Sequence, residues 1–209
     1  MKEIAKILLD IKAVTLSPKK PYIWASGIKS PIYCDNRLLL SHPEEWRFVI
    51  SQMIRTIKKE FPEVECIMGT AAAGIPHASV CSYEMNLPGG FVRASSKDHG
   101  KGNQVEGKVS PGMKTVVIED LISTGGSSLA AVKVLEEAGC QVLGIVSIFT
   151  YGMEKAQTAM SREGIRCLSL TDYPELLSQA VQCGYLEENE VKGLIQFMKD
   201  PSDESWIQN

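Results

Sequence analysis

The chain has 209 residues, 44% hydrophobic and 22% charged, with 22 Lys plus Arg against 25 Asp plus Glu for a net charge of −3. That length fits one large domain whose core needs no disulfide or metal staples. The composition excludes a disordered chain, a collagen and a coiled coil, and the mild acidity argues against a general nucleic-acid binder.

Ile4, Ile7, Leu8 and Ile11 recur at helical spacing near the N-terminus. Acidic residues interrupt that run too early for a signal peptide. No 18 consecutive apolar residues occur anywhere, so neither a leader nor a membrane span is expected. Ser17 to Pro31 reads as turns and short strands. Pro43 to Glu60 predicts an amphipathic helix, entered by His42, with Trp46, Val49, Ile50, Met53 and Ile57 on one side. Val64 to Gly69 predicts a short buried strand, and Ile75 to Met85 a helix with His77 packed in its first turn. Gly89 to Arg93 predicts another strand.

Ala94 to Gly112 has no apolar period and carries Lys97, Asp98, His99, Lys101 and Lys108 among glycines. A loop of this kind is a functional lid or a disordered segment. Lys114 to Ile118 predicts an apolar strand, Glu119 to Ser128 is acidic and then glycine-rich, and Leu129 to Ala138 predicts a helix closed by Gly139. Strand Gln141 to Phe149, helix Glu154 to Glu163 and strand Arg166 to Leu170 follow, then helices Pro174 to Cys183 and Glu187 to Lys199. Trp206 could tether the polar tail. Strand and helix alternate, which predicts an α/β fold with a mainly parallel sheet.

The cysteines are Cys34, Cys66, Cys81, Cys140, Cys167 and Cys183, with no C-x-x-C pair and no His at zinc-ligand spacing. They read as reduced, mostly buried thiols of a cytoplasmic protein, and no protein-held metal is expected.

The most informative segment is Val116-Val117-Ile118-Glu119-Asp120-Leu121-Ile122-Ser123-Thr124-Gly125-Gly126-Ser127-Ser128. Two acids end a strand, and hydroxyls and glycines lead into a helix. Ligands of open α/β sheets bind at such strand ends, and the helix start is a ready anion site. Gly125 and Gly126 let the backbone close on a phosphate. The acids fit beside it as acceptors for sugar hydroxyls, or as groups facing a metal-bound ligand. The segment lacks the Lys of a Walker A loop and is not G-x-G-x-x-G.

This segment resembles the phosphoribosyl-pyrophosphate (PRPP) loop of type I phosphoribosyltransferases. Ser26 to Arg37 (S-G-I-K-S-P-I-Y-C-D-N-R), Gly69 to Pro76 (G-T-A-A-A-G-I-P) and Arg93 through Lys97-Asp98-His99-Gly100-Lys101-Gly102 narrow the resemblance to the orotate phosphoribosyltransferases. The likeness runs over nearly the whole chain. It implies one domain over 1–209, with about 1–40 contributing to a hood and 94–112 forming a mobile lid.

By this resemblance Glu119 and Asp120 bind the ribose hydroxyls, and Leu121, Ile122, Ser123, Thr124, Gly125, Gly126 and Ser127 complete the PRPP loop around the 5-phosphate. Gly69 to Gly74, with Thr70 and Ala71, resembles the pyrophosphate loop. Lys97, His99, Lys101 and Arg93 supply positive charge to the leaving pyrophosphate. Ser123, Tyr33 and Cys34 line the orotate site. The family often has Lys before Ser-Gly, and Arg two residues after the strand that follows the PRPP helix. Here these positions are Ala25 and Tyr151, so Lys29 or Arg37 is expected to meet the orotate carboxylate. The resemblance further implies Mg²⁺ carried mainly by PRPP, no nucleic-acid partner, and a homodimer with shared active sites. A purine or uracil phosphoribosyltransferase and a regulatory PRPP-binding module are the competing readings. The lid cations argue against the module.

Overall fold

Continuous apolar runs build the centre of the sheet, as expected for parallel strands covered on both faces. The structure, a computed structural model, describes residues 2–23, 27–95, 104–201 and 203–207. Strands β5 (Cys66–Thr70), β6 (Gly89–Val92), β7 (Val105–Glu106), β8 (Lys114–Ile122), β9 (Gln141–Thr150) and β10 (Cys167–Asp172) form one six-stranded sheet. Its order is β10-β9-β8-β5-β6-β7, and only β7 runs antiparallel to its neighbour.

Helices α1 (Lys2–Asp10), α2 (Pro43–Glu60), α3 (Gly74–Met85), α6 (Tyr173–Gln182) and α7 (Glu188–Lys199) build a core with Val116, Ile118, Val146 and Ile148 on one face of the sheet. Helices α4 (Gly126–Glu137) and α5 (Glu154–Arg162) cover Val117, Ile145 and Cys167 on the other. Strand alternation thus sends successive residues of β8 into two separate cores. Two short antiparallel pairs form the N-terminal hood: β1 (Val14–Leu16) with β4 (Ile32–Cys34), and β2 (Tyr22–Ile23) with β3 (Lys29–Ser30).

Three sequence expectations need correction. The strand carries its two acids as expected but does not end on them: it runs on to Ile122, because Glu119, Leu121 and Ile122 pair with Ser147, Phe149 and Thr150 of β9. The following helix starts at Gly126 rather than Leu129, after Gly125 turns the chain at φ +80°. The polar stretch 94–112 contains β7, whose Val105 is buried against Val92. One apolar residue between Gln104 and Glu106 gives no readable period. Of the thiols, Cys66, Cys81 and Cys140 are buried, Cys34 and Cys167 are half-buried and Cys183 is exposed, so only half match the expected burial. Trp206 is buried, edge-on to Phe197 with ring centroids 5.6 Å apart, and does tether the tail.

His77 is buried, and its Nδ1 accepts a 2.9 Å hydrogen bond from Trp46 Nε1. Burial holds its pKa down at about 4, so the ring is neutral at physiological pH. It packs α3 against α2, as expected. His42 stands at the N-cap of α2, directly before Pro43.

Candidate active site

Strands β5 and β8 are parallel neighbours, so their C-terminal ends lie side by side. Each is followed by a short turn and a helix, α3 after β5 and α4 after β8. Two helix N-termini therefore open at the same edge of the sheet. Neither Ala73 nor Gly125, the residues before them, makes a side-chain capping bond. Unfilled N–H groups and two aligned macrodipoles make this edge favourable for an anion with two phosphate groups.

The turn after β5 holds Thr70, Ala71, Ala72 and Ala73, and Ala71 N–H donates to Val92 O on β6 at 2.9 Å. The peptide between Ala71 and Ala72 is cis. A Cβ at Gly74 would lie 2.5 Å from the Ile118 carbonyl oxygen and 2.6 Å from Thr70 Oγ1, so only glycine lets the turn close against β8. After β8, Ser123 is half-buried and Thr124, Gly126 and Ser127 are exposed. A Cβ at Gly126 would meet nothing within 4 Å. The space beside it is open to a ligand.

These two glycines should therefore respond differently. Gly74→Ala is expected to cost about 1–3 kcal/mol of stability through overpacking. Gly126→Ala should leave the melting temperature unchanged yet raise KM for a phosphate-bearing substrate about tenfold, or about 1.4 kcal/mol. Calorimetry and steady-state kinetics on both variants check this.

Glu119 and Asp120 lie on the last turn-ward residues of β8, between the two helix starts. Glu119 is buried. Its Oε1 accepts from Thr70 Oγ1 at 2.5 Å and from Asp120 N–H at 3.2 Å, and its Oε2 accepts from Ser128 Oγ at 2.9 Å. Asp120 is half-buried. Burial, followed by the adjacent Glu119 charge, raises its pKa to about 7. Leu121 is half-buried and Ile122 buried, so both act as packing beneath the loop.

The hood meets this strand through Asn36, which is buried. Its Nδ2 donates to the Asp120 carbonyl oxygen at 2.8 Å, and its Oδ1 accepts from Cys34 Sγ at 3.4 Å. Burial, with Asp120 and Asp35 nearby, pushes the Cys34 thiol pKa up, so it stays protonated. Tyr33 is exposed at the same rim, 5.6 Å from the Tyr22 ring. Asn36 and Ser128 were not singled out in the sequence. The only signals were an Asn among polar hood residues and a second Ser after a glycine pair, and neither is distinctive.

The two cations expected at the orotate carboxylate already have partners. Arg37 chelates Asp35 through Nε to Oδ1 at 2.6 Å and NH2 to Oδ2 at 2.8 Å, and this pairing lowers the Asp35 pKa. Lys29 Nζ lies 2.7 Å from Glu204 of the tail. Tyr151 is buried in an aromatic row, 5.3 Å from Phe149 and 6.2 Å from Tyr173. Burial raises its pKa, so it offers the site no charge.

Arg93 is half-buried at the end of β6. Its N–H donates to Gln104 O at 2.9 Å, and its guanidinium lies 3.4 Å from Glu106. Because Ala71 bonds to Val92, this position is next to the turn after β5. Lys97, His99 and Lys101 lie outside the described residues. Among the described residues no group of three His, Cys, Asp or Glu could hold a metal ion. No helix among them is long and apolar enough to cross a membrane.

A model of the phosphoribosyl transferase domain matches residues 39–187. The orotate phosphoribosyltransferase of Bacillus subtilis is 53% identical over 204 residues, covering 98% of this chain and 94% of its own length. The orotate phosphoribosyltransferase of Aeropyrum pernix superposes with a TM-score of 0.76 at 26% identity, covering 88% of this chain and 99% of its own. The UMP synthase of Leishmania donovani superposes with a TM-score of 0.78 at 26% identity over 94% of this chain, which spans 42% of that longer protein. With two uncapped helix starts flanking a pair of strand-end acids, and with relatives alike over nearly its full length, the chain belongs to the phosphoribosyl transferase family and, within it, to the orotate phosphoribosyltransferases.

Proposed function

We propose that the chain transfers the 5-phosphoribosyl group of PRPP to orotate, giving orotidine 5′-phosphate and pyrophosphate in pyrimidine biosynthesis. The observation that carries this is the pair of anion-binding turns at the ends of β5 and β8, with Glu119 and Asp120 between them. Two anion-favouring helix starts with carboxylate acceptors between them suit a sugar with a phosphate at one end and a pyrophosphate at the other. In this reading Ser123 to Ser127 hold the 5-phosphate, and the turn from Thr70 to Gly74, at the start of α3, takes the pyrophosphate. The strand-end acids take the ribose hydroxyls.

The reaction breaks the bond from ribose C1 to pyrophosphate oxygen and forms one from C1 to a pyrimidine nitrogen. Positive charge grows on the sugar while negative charge grows on the leaving group. Arg93, Lys97, His99 and Lys101 are the residues assigned to that developing anion. Mg²⁺ bound to PRPP oxygens and water would neutralise part of the pyrophosphate charge. On the base side, Tyr33, Cys34 and Ser123 form the rim. Arg37 or Lys29 reaches the orotate carboxylate only by leaving its present carboxylate partner. We assign a homodimer in which the 94–112 segment, with Lys97, His99 and Lys101, completes the partner's site. We place the enzyme in the cytoplasm, where its six free cysteines stay reduced.

The test mixes the protein with PRPP, Mg²⁺ and orotate and follows the ultraviolet absorbance of orotate, then repeats this with uracil and hypoxanthine. Turnover of orotate alone is expected. Turnover of another base instead would make it a different phosphoribosyltransferase, and PRPP binding without turnover of any base would make it a regulatory module.

A further inference from the structure

Ser128 sits in the first turn of α4 and is fully buried, so water and ligand cannot reach its hydroxyl. A serine inside a helix commonly bonds back to its own preceding carbonyls or turns to solvent. Here Oγ instead donates across to Glu119 Oε2 at 2.9 Å. Thr70, at the end of β5 and also buried, donates to the other oxygen of the same carboxylate at 2.5 Å. One carboxylate on β8 is thus pinned from both sides. Its two clamps belong to the two elements that carry the two anion-binding turns.

A buried carboxylate without donors is costly, so these hydroxyls satisfy both oxygens of Glu119 and fix the plane of its carboxylate. Asp120 has no such clamp in α4 or β5 and is held by backbone N–H groups and by the Glu119 side chain beside it. The two neighbouring acids therefore differ: one is clamped by hydroxyls from two other elements, the other is not.

We propose that Ser128, together with Thr70, is a positioning residue for the reaction. It locks Glu119 as a strut between the pyrophosphate turn and the phosphate loop, and so sets the spacing at which PRPP is bound. This deepens the phosphoribosyl-transfer reading and rests on it. The titratable groups facing Glu119 are Asp120 on its own strand and Cys167 on β10. Helix α4 and strand β5 present it the hydroxyls of Ser128 and Thr70, and Ser147 of β9 is its partner in strand register.

The experiment compares the whole wild-type enzyme with Ser128→Ala and Ser128→Thr. It reads kcat, KM for PRPP and for orotate, and melting temperature. Ribose contacts exist in the ground state and the transition state alike, so their loss acts on KM. Ser128→Ala is expected to raise KM for PRPP roughly five- to twentyfold with kcat within about threefold of wild type. Ser128→Thr keeps a hydroxyl and should restore KM. An alanine variant with wild-type KM for PRPP would overturn the proposal, whatever happens to its melting temperature. So would a threonine variant that folds and binds PRPP as poorly as the alanine one. Wild-type protein that fails to turn over orotate would instead sink the functional reading, so the two failures are distinguishable.

Discussion

Asp120→Asn is expected to lower kcat/KM for PRPP by about a hundredfold, or about 2.7 kcal/mol, while raising the melting temperature at pH 8. The two effects have one origin. Burial, with the Glu119 charge beside it, raises the Asp120 pKa from 3.8 to about 7. The sign follows by linkage: between those two values the folded protein holds a proton that the unfolded chain has lost. Stability is therefore present at low pH, falls as pH rises from about 4 to 7, and stays lower above 7. The charge is kept at a cost to the fold, as is common where a site needs an ionised group. Asparagine removes that charge and should return about 1–3 kcal/mol at pH 8, a shift of several degrees for a chain of this size. It also removes the anionic acceptor for a ribose hydroxyl. In wild type, kcat/KM for PRPP should climb through about pH 7 as Asp120 loses its proton, and in the variant this limb should vanish. Calorimetry from pH 5 to 9 alongside kinetics over the same range checks both. A variant that is less stable at pH 8, or that keeps the limb, would show that Asp120 does not carry the site's neutral-range titration.

The sheet was legible because its strands are continuous apolar runs and the helices between them are closed by glycines. Gly139 and Gly164 each stand two residues beyond the last residue of α4 and α5. The loop after β8 was legible for a chemical reason: two acids followed by Thr-Gly-Gly-Ser have few structural uses. What sequence could not supply was pairing across long separations. Thr70 and Ser128 meet at Glu119 from positions 49 and 9 residues away. Asn36 reaches Asp120 across 84. No spacing rule joins such residues, since only the strand order β8-β5 and the placement of the hood bring them together. Arg37 shows the converse. Asp35 stands only two residues away in the chain, but the bidentate geometry that occupies the Arg37 guanidinium needed coordinates. The apolar run stops at Ile118, so sequence alone could not show that pairing with β9 carries β8 past its two acids to Ile122.

Lys97→Ala is expected to lower kcat by about a hundredfold or more and to change KM for PRPP far less. The reason is where charge develops. PRPP arrives with its negative charge already present and bound by the two turns, so one lysine adds little to ground-state affinity. As the bond to C1 breaks, the pyrophosphate gains charge, and a cation fixed beside it is strengthened only then. Equal losses in kcat and affinity would make Lys97 a ground-state ligand instead. The same variant tests whether the site is shared. The segment carrying Lys97 is bracketed by β6 and β7, whose antiparallel pairing places its roots at the far edge of the sheet, beside the turn after β5. If each segment serves the partner's site, mixing Lys97→Ala and Asp120→Asn subunits gives hybrid dimers with one site bearing both lesions and one bearing none. Random exchange makes half the dimers hybrid, so about a quarter of wild-type activity should return. If each subunit serves itself, every site in the mixture carries one lesion and no activity returns. Recovery of turnover on mixing two nearly inactive variants therefore reports both the dimer and the direction in which Lys97 reaches.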